Sequence, residues 1–200
     1  MKNLILIVVT LFLASIALVI YGEAYNFGDM IAFSRKIRCP CKPFTYKHYA
    51  VYVGSEELKN KLENQDIFHL TGAASNLLRG EKLSDCIFSE LAKEGDHKLD
   101  NYLDELWKND GKEIDVPGIK KRIEEKYKNC GSWVPLTNNC EHVATYVRYG
   151  LKVSFQCGTS ASKIVFNTKV SKKMIKKIKE TLNAPTCESS CSLSRGDKSG

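Results

Sequence analysis

Apolar residues along the chain change rhythm several times, and each change predicts an element. From Leu4 to Ile20 only Thr10 and Ser15 are polar, which is neither an amphipathic helix nor a strand. Further on, alternating or β-branched runs predict short strands near Met30–Ser34, Tyr49–Val53 and Ile67–Leu70, the second ending at Gly54. A polar, charged middle follows from about Arg79 to Val116. Pro117 then opens a helix over Ile119–Lys128, with Ile123 and Tyr127 on its apolar side. A second helix is predicted in "NNCEHVATYVRYG". Asn138 and Asn139 are good helix starts, Gly150 is a good stop, and Val143, Ala144, Val147 and Leu151 make one core-facing stripe. Glu141, Thr145 and Arg148 fall outside that stripe and are predicted to face water. "KVSFQ", after the helix, reads as one more strand.

Cys140 opens the second helix at the N-terminal end of its buried stripe. Free backbone N–H groups and the positive end of the macrodipole favour a thiolate there, and the same N–H groups suit a developing oxyanion. A small cysteine buried for packing is the other reading of the same position. An activated thiol needs a base, and the chain has four histidines. His142 is two residues from Cys140 and so points to another face of the helix, as a surface or capping side chain. His97, in the charged run "KEGDHKLD", is predicted to be solvated. His48 and His69 sit in the second and third predicted strands. If those strands form an antiparallel hairpin, placing His48 opposite His69 puts Val53 opposite Asn64 and brings the rings to one face, about 5 Å apart at Cβ.

The segments "FGDMIAFSR", "YKHYAVYVG", "IFHLTG" and "NNCEHVATYVRYG" occur in the order found in lecithin–retinol acyltransferase-like proteins. That family includes the phospholipase A/acyltransferase (H-Ras-like suppressor) enzymes. The resemblance covers Phe27 to Gly150 in patches, with the N-C-E-H block its most specific part. It implies an α+β fold: a small antiparallel sheet packed by the helix that carries the cysteine, a circular permutation of the papain-like architecture. It also implies a site in which Cys140 is the nucleophile, His48 the base and His69 the group that orients and polarises His48. Tyr46 lies two residues before His48, on the same strand face, and is a candidate oxyanion stabiliser. The implied chemistry is attack of the thiol on an acyl ester, a thioester intermediate, and transfer of the acyl group to water, an amine or an alcohol. The substrate is then a phospholipid or other acyl lipid met at a membrane surface, with no cofactor, metal or nucleic acid. The sequence departs from the family in a longer connection between His48 and His69, and in Val143 where an aromatic is usual. It also lacks the C-terminal hydrophobic anchor of many relatives. A non-catalytic lipid- or protein-binding module of the same family is the alternative; a peptidase or amidase fits the chemistry but not the membrane-directed termini.

Composition adds to this picture in three places. Residues 1–24 read as a signal peptide or an N-terminal membrane anchor. A 17-residue helix spans about 26 Å, between the length of a signal core and the ~30 Å of a hydrocarbon core. Either reading directs the chain to the secretory pathway, where eight cysteines suit an oxidising compartment. If Cys140 is free, the other seven supply up to three bridges, with no pairing fixed by the sequence. Residues 25–157 are then the catalytic domain, and 158–200 a basic amphipathic segment with a polar, cysteine-containing tail. Much of the net charge of +7 lies in "KVSKKMIKKIKETLN", Lys169–Asn183, whose pattern suits either an anionic membrane surface or a core-packing helix with solvated lysines. The "RGD" at Arg195–Asp197 reads as a chance match.

Overall fold

A computed structural model describes residues 25–37, 44–71, 84–134 and 136–163. The predicted hydrophobic segment before Tyr25, the lysine-rich segment and the RGD tripeptide lie outside the described residues. Five strands form one antiparallel sheet: β1 (Met30–Ile37), β2 (Phe44–Tyr52), β3 (Ile67–Leu70), β4 (Cys86–Ser89) and β5 (His97–Leu99). Their order across the sheet is β4-β3-β2-β1-β5, so β2 is central and flanked by both long-range and hairpin partners. Three helices follow: α1 (Asp104–Asn109), α2 (Val116–Lys126) and α3 (Cys140–Tyr149). The fold is α+β, with a small sheet packed by a helix that begins at Cys140.

Strand alternation divides the core in two. Met30, Ala32, Tyr49, Val51, Phe68, Leu70 and Phe88 face α3 and pack on Val143, Ala144 and Val147. Ile31, Phe33, Ala50 and Ile67 make a smaller cluster on the opposite face. Beyond the third predicted strand, the polar middle holds more structure than its composition suggests: β4, β5 and α1 all lie in it. Each is only three to six residues long, too short for a periodic signal. "KVSFQ" is not a strand; its groups are spent on the buried Glu141 carboxylate instead.

A disulfide joins Cys86 on β4 to Cys130, in the loop that leads to α3. That loop is fixed at several further points. Cys130 N donates to Asp85, Trp133 N donates to Ser84 Oγ, and Asn138 Nδ2 donates to the carbonyls of Cys130 and Ser132. Asn139 then caps α3, its side chain accepting from His142 N at 3.1 Å, while His142 Nδ1 receives Asn139 N at 3.4 Å. His142 is therefore a capping residue, but a buried one.

Candidate active site

β2 and β3 pair antiparallel as predicted, but the register is two residues from the predicted one. Val51 pairs with Phe68 and Tyr52 with Ile67, so His69 falls opposite Ala50 rather than His48. A two-residue slip preserves the face, because side chains alternate with period two. The two histidines become diagonal neighbours, and their rings close the gap: His48 Nε2 lies 2.9 Å from His69 Nδ1. Phe33, directly across from His48 on β1, packs its ring against the imidazole with centroids 5.7 Å apart. His97 is exposed on β5, as expected.

The histidines occupy the sheet face away from the body of α3, and the sulfur of Cys140 lies at an edge of β2. β3 ends at Leu70, and among the described residues no strand pairs with β2 at 47–49 on that side. Two groups take its place. Gln156 accepts from Lys47 N at 2.7 Å and donates Nε2 to the Lys47 carbonyl at 3.0 Å, imitating a strand neighbour with a side chain. Cys140 Sγ lies 3.8 Å from the same carbonyl and accepts from the backbone N–H of Tyr49. The sulfur thus bonds the two residues on either side of His48. Tyr46 is half-buried on the histidine face, close enough for the charge of Cys140 to act on its hydroxyl.

Burial decides the ionisation of these groups. Cys140 is 5% exposed, and desolvation pushes its thiol up to about 12. The N–H groups of Tyr49, Glu141 and Cys140 pull the other way, as a helix start should, while the Glu141 carboxylate pushes up. The helix start favours a thiolate and the packing reading a buried thiol; here desolvation outweighs the donors. His48 is pulled down to about 3 by burial, then by His69 and Arg35. His69 is lowered by burial and by Arg35, against the opposing pull of Glu94. Tyr46 is raised, first by burial and then by Cys140, so its hydroxyl keeps its proton. These directions favour the neutral thiol and the neutral imidazoles at rest.

Glu141, predicted to face water, is fully buried. Its carboxylate accepts from Tyr102 Oη (2.8 Å), Ser154 Oγ (2.7 Å), Phe155 N (3.0 Å), Gln156 N (3.0 Å) and Gln156 Nε2 (2.9 Å). Thr145 and Arg148, given the same prediction, are buried as well. The helical stripe marked only the face against the sheet, whereas the segment 152–156, α1 and the start of β1 cover the others. Sequence reasoning also passed over Arg35, Glu94 and Gln156, which approach the site from distant positions with no local pattern. Among the described residues no cluster of three or more histidine, cysteine or acidic side chains could hold a metal. A cavity of about 470 Å³ lies in the β2–β3 connection, lined by Ser55, Leu58, Leu62 and neighbouring residues, none of them a site candidate.

The family model for lecithin retinol acyltransferase matches residues 23–153, well over half of the chain. The chain belongs to that family. No curated protein and no solved structure matches it. Membership carries an expectation of acyl transfer on lipid substrates, and the matched residues include β2 and β3 with His48 and His69 and the start of α3 with Cys140.

Proposed function

We propose that this family member is a thiol-dependent lipid acyltransferase or phospholipase A, with Cys140 as nucleophile, His48 as base and His69 as the group that orients His48. The observation that carries the reading is the His48–His69 contact at 2.9 Å on the strand whose neighbouring backbone groups hold the Cys140 sulfur. His48 spends Nε2 on His69, which leaves Nδ1 for the thiol proton. The tautomer with a proton on Nε2 donates to His69 Nδ1 and leaves Nδ1 of His48 basic.

With the thiol near 12 and the imidazole near 3, a preformed ion pair is not the resting state. Deprotonation therefore accompanies attack: as Sγ bonds the ester carbonyl carbon, its proton passes to His48. The carbonyl oxygen becomes an oxyanion, for which the protonated Tyr46 hydroxyl and the N–H groups at the start of α3 are donors. Collapse to the thioester expels the alcohol portion of the lipid, which takes the proton from His48. Water, an amine or an alcohol then attacks the thioester with His48 again accepting a proton, the C–S bond breaks, and the leaving Cys140 sulfur takes that proton back.

Entry to the secretory pathway, by a signal peptide or an N-terminal anchor, is supported by the Cys86–Cys130 bridge, since such bonds persist in oxidising compartments. No helix among the described residues is long and apolar enough to cross a membrane. Contact with a membrane surface is part of the proposal because the substrate is an acyl lipid.

The purified chain, given labelled phosphatidylcholine, is expected to form an acyl adduct on Cys140 detectable by mass spectrometry. Cys140→Ser abolishes the adduct. His48→Ala lowers turnover by about two to four orders of magnitude, and His69→Ala by less. An adduct on another residue, or turnover that survives Cys140→Ser, would sink the reading. A folded protein that labels with no acyl donor would instead be the non-catalytic binding module.

A further inference from the structure

Arg35 lies on β1 directly opposite Tyr46, and its Nη2 donates to Glu94 Oε2 at 2.6 Å. Glu94 follows a short 3-10 turn (Leu91–Lys93) in the connection between β4 and β5. One carboxylate oxygen is held by the guanidinium. The other, Oε1, faces His69 Nδ1 at 3.9 Å, the very nitrogen that bonds His48. The pair is only partly open to solvent, with side-chain exposures of 30% for Arg35 and 20% for Glu94, beside a His69 that is 5% exposed. Charges this sheltered act on each other strongly.

We propose that Glu94, anchored by Arg35, is a positioning residue of this site, whose carboxylate supports the positive charge that the His48–His69 pair carries while Cys140 is acylated. The inference rests on the reading of His48 as the base. Accepting the thiol proton turns His48 into an imidazolium whose Nε2–H points at His69 Nδ1, so the new charge develops along a bond that Glu94 faces. Arg35 has two opposed effects. It fixes the carboxylate where it can act, and its own charge adds to burial in lowering both histidines. The charged groups that act on the pair are Arg35 from β1 and Glu94 from the β4–β5 connection, and both also act on Tyr46 of β2, as does Cys140 from α3. Among the described residues, Glu94 is the anion with an oxygen aimed at the histidines, and Arg35 the cation that acts on them.

Charge balance and simple packing predict different results in single and double variants. Turnover of labelled phosphatidylcholine is measured across pH for Glu94→Gln, Arg35→Gln and the double variant of the full chain, with Cys140→Ser as reference. Glu94→Gln leaves the guanidinium unopposed, weakens the base and lowers kcat about tenfold at neutral pH, equivalent to about one pKa unit. Arg35→Gln leaves the carboxylate unopposed, so the acid limb of kcat/KM moves to higher pH by about one unit. Removing both charges recovers threefold or more of the rate lost in Glu94→Gln, because each substitution removes the charge that harms the other. A double variant no faster than Glu94→Gln, or an acid limb unmoved in Arg35→Gln, overturns the proposal while leaving the nucleophile in place. Turnover retained in Cys140→Ser overturns the underlying reading as well, so the two failures are distinct.

Discussion

Glu141 and Arg148 lie on the same helix, two turns apart, and both are buried, yet the protein holds them by opposite means. Arg148 is matched with charge: Nε and Nη2 bond the Asp104 carboxylate at 3.0 and 2.8 Å, and Nη1 bonds Asp29 Oδ1 at 3.2 Å and the Gly28 carbonyl at 2.7 Å. Burial lowers its affinity for a proton, but Asp104 and Asp29 more than offset this. Among the described residues no cation pairs with Glu141. Two hydroxyls, two backbone N–H groups and one amide surround it, and its carboxyl is raised by burial against the pull of those donors. The difference follows the distance to the thiol. A cation beside Glu141 would sit one residue from Cys140 and favour thiolate; neutral donors leave the Glu141 charge free to oppose it. At the far end of the helix no such constraint exists, and ion pairs tie α3 to α1 and to the start of β1.

The largest effect is expected from removing the neutral-donor site. Glu141→Ala orphans five donors at once and costs roughly 3–5 kcal/mol in urea unfolding. It also frees Gln156 from one of its two anchors, so turnover per folded molecule falls with stability. Arg148→Met is expected to cost less, about 2–3 kcal/mol, because Asp29 keeps Asn101 Nδ2 and Asn26 N as donors and Asp104 is partly solvated. Turnover per folded molecule should stay within about threefold of the parent chain, since the lost contacts lie at the opposite end of α3 from Cys140. A cost for Arg148→Met larger than for Glu141→Ala would break the comparison.

The smallest effect is a pH dependence. The Glu141 carboxyl is raised above its ordinary value in the folded state, so the folded chain holds this proton more tightly than the unfolded one. Its contribution is complete below the ordinary carboxylate range and is lost as pH rises through the folded value. Glu141→Gln cannot lose that proton. Its stability relative to the parent chain should therefore improve as pH rises from the ordinary carboxylate range towards neutrality, measured by chemical unfolding at each pH. No change in that difference would mean that the five donors fully compensate the ionised form.

How far the sequence reveals such features depends on whether the determining contact is local. The face shared by His48 and His69 was legible, because alternation along a strand fixes it regardless of register. Their two-residue offset was not, because nothing near the long β2–β3 connection pins the pairing. The start of α3 was legible from Asn139 and Cys140, and its stop from Gly150, whose φ of 69° is the left-handed cap that glycine favours. The burial of Glu141 and Arg148 was not legible, because an apolar stripe reports one face of a helix and α3 is covered on several. Arg35, Glu94 and Gln156 come from three separate stretches, and only the fold brings them to β2.

The Cys86–Cys130 bridge has a bearing on how Cys140 survives in its own molecule. Exchange between a thiol and a disulfide begins when a thiolate strikes a sulfur, at a rate that grows with the thiolate fraction and with access. Cys130 lies ten residues before Cys140, so a potential attacker and a potential target share one stretch of chain. A thiol raised to about 12 and only 5% exposed holds almost no thiolate at neutral pH and offers little approach. The same enclosure that delays deprotonation until a substrate arrives also protects the bridge from scrambling and the thiol from mixed-disulfide capture.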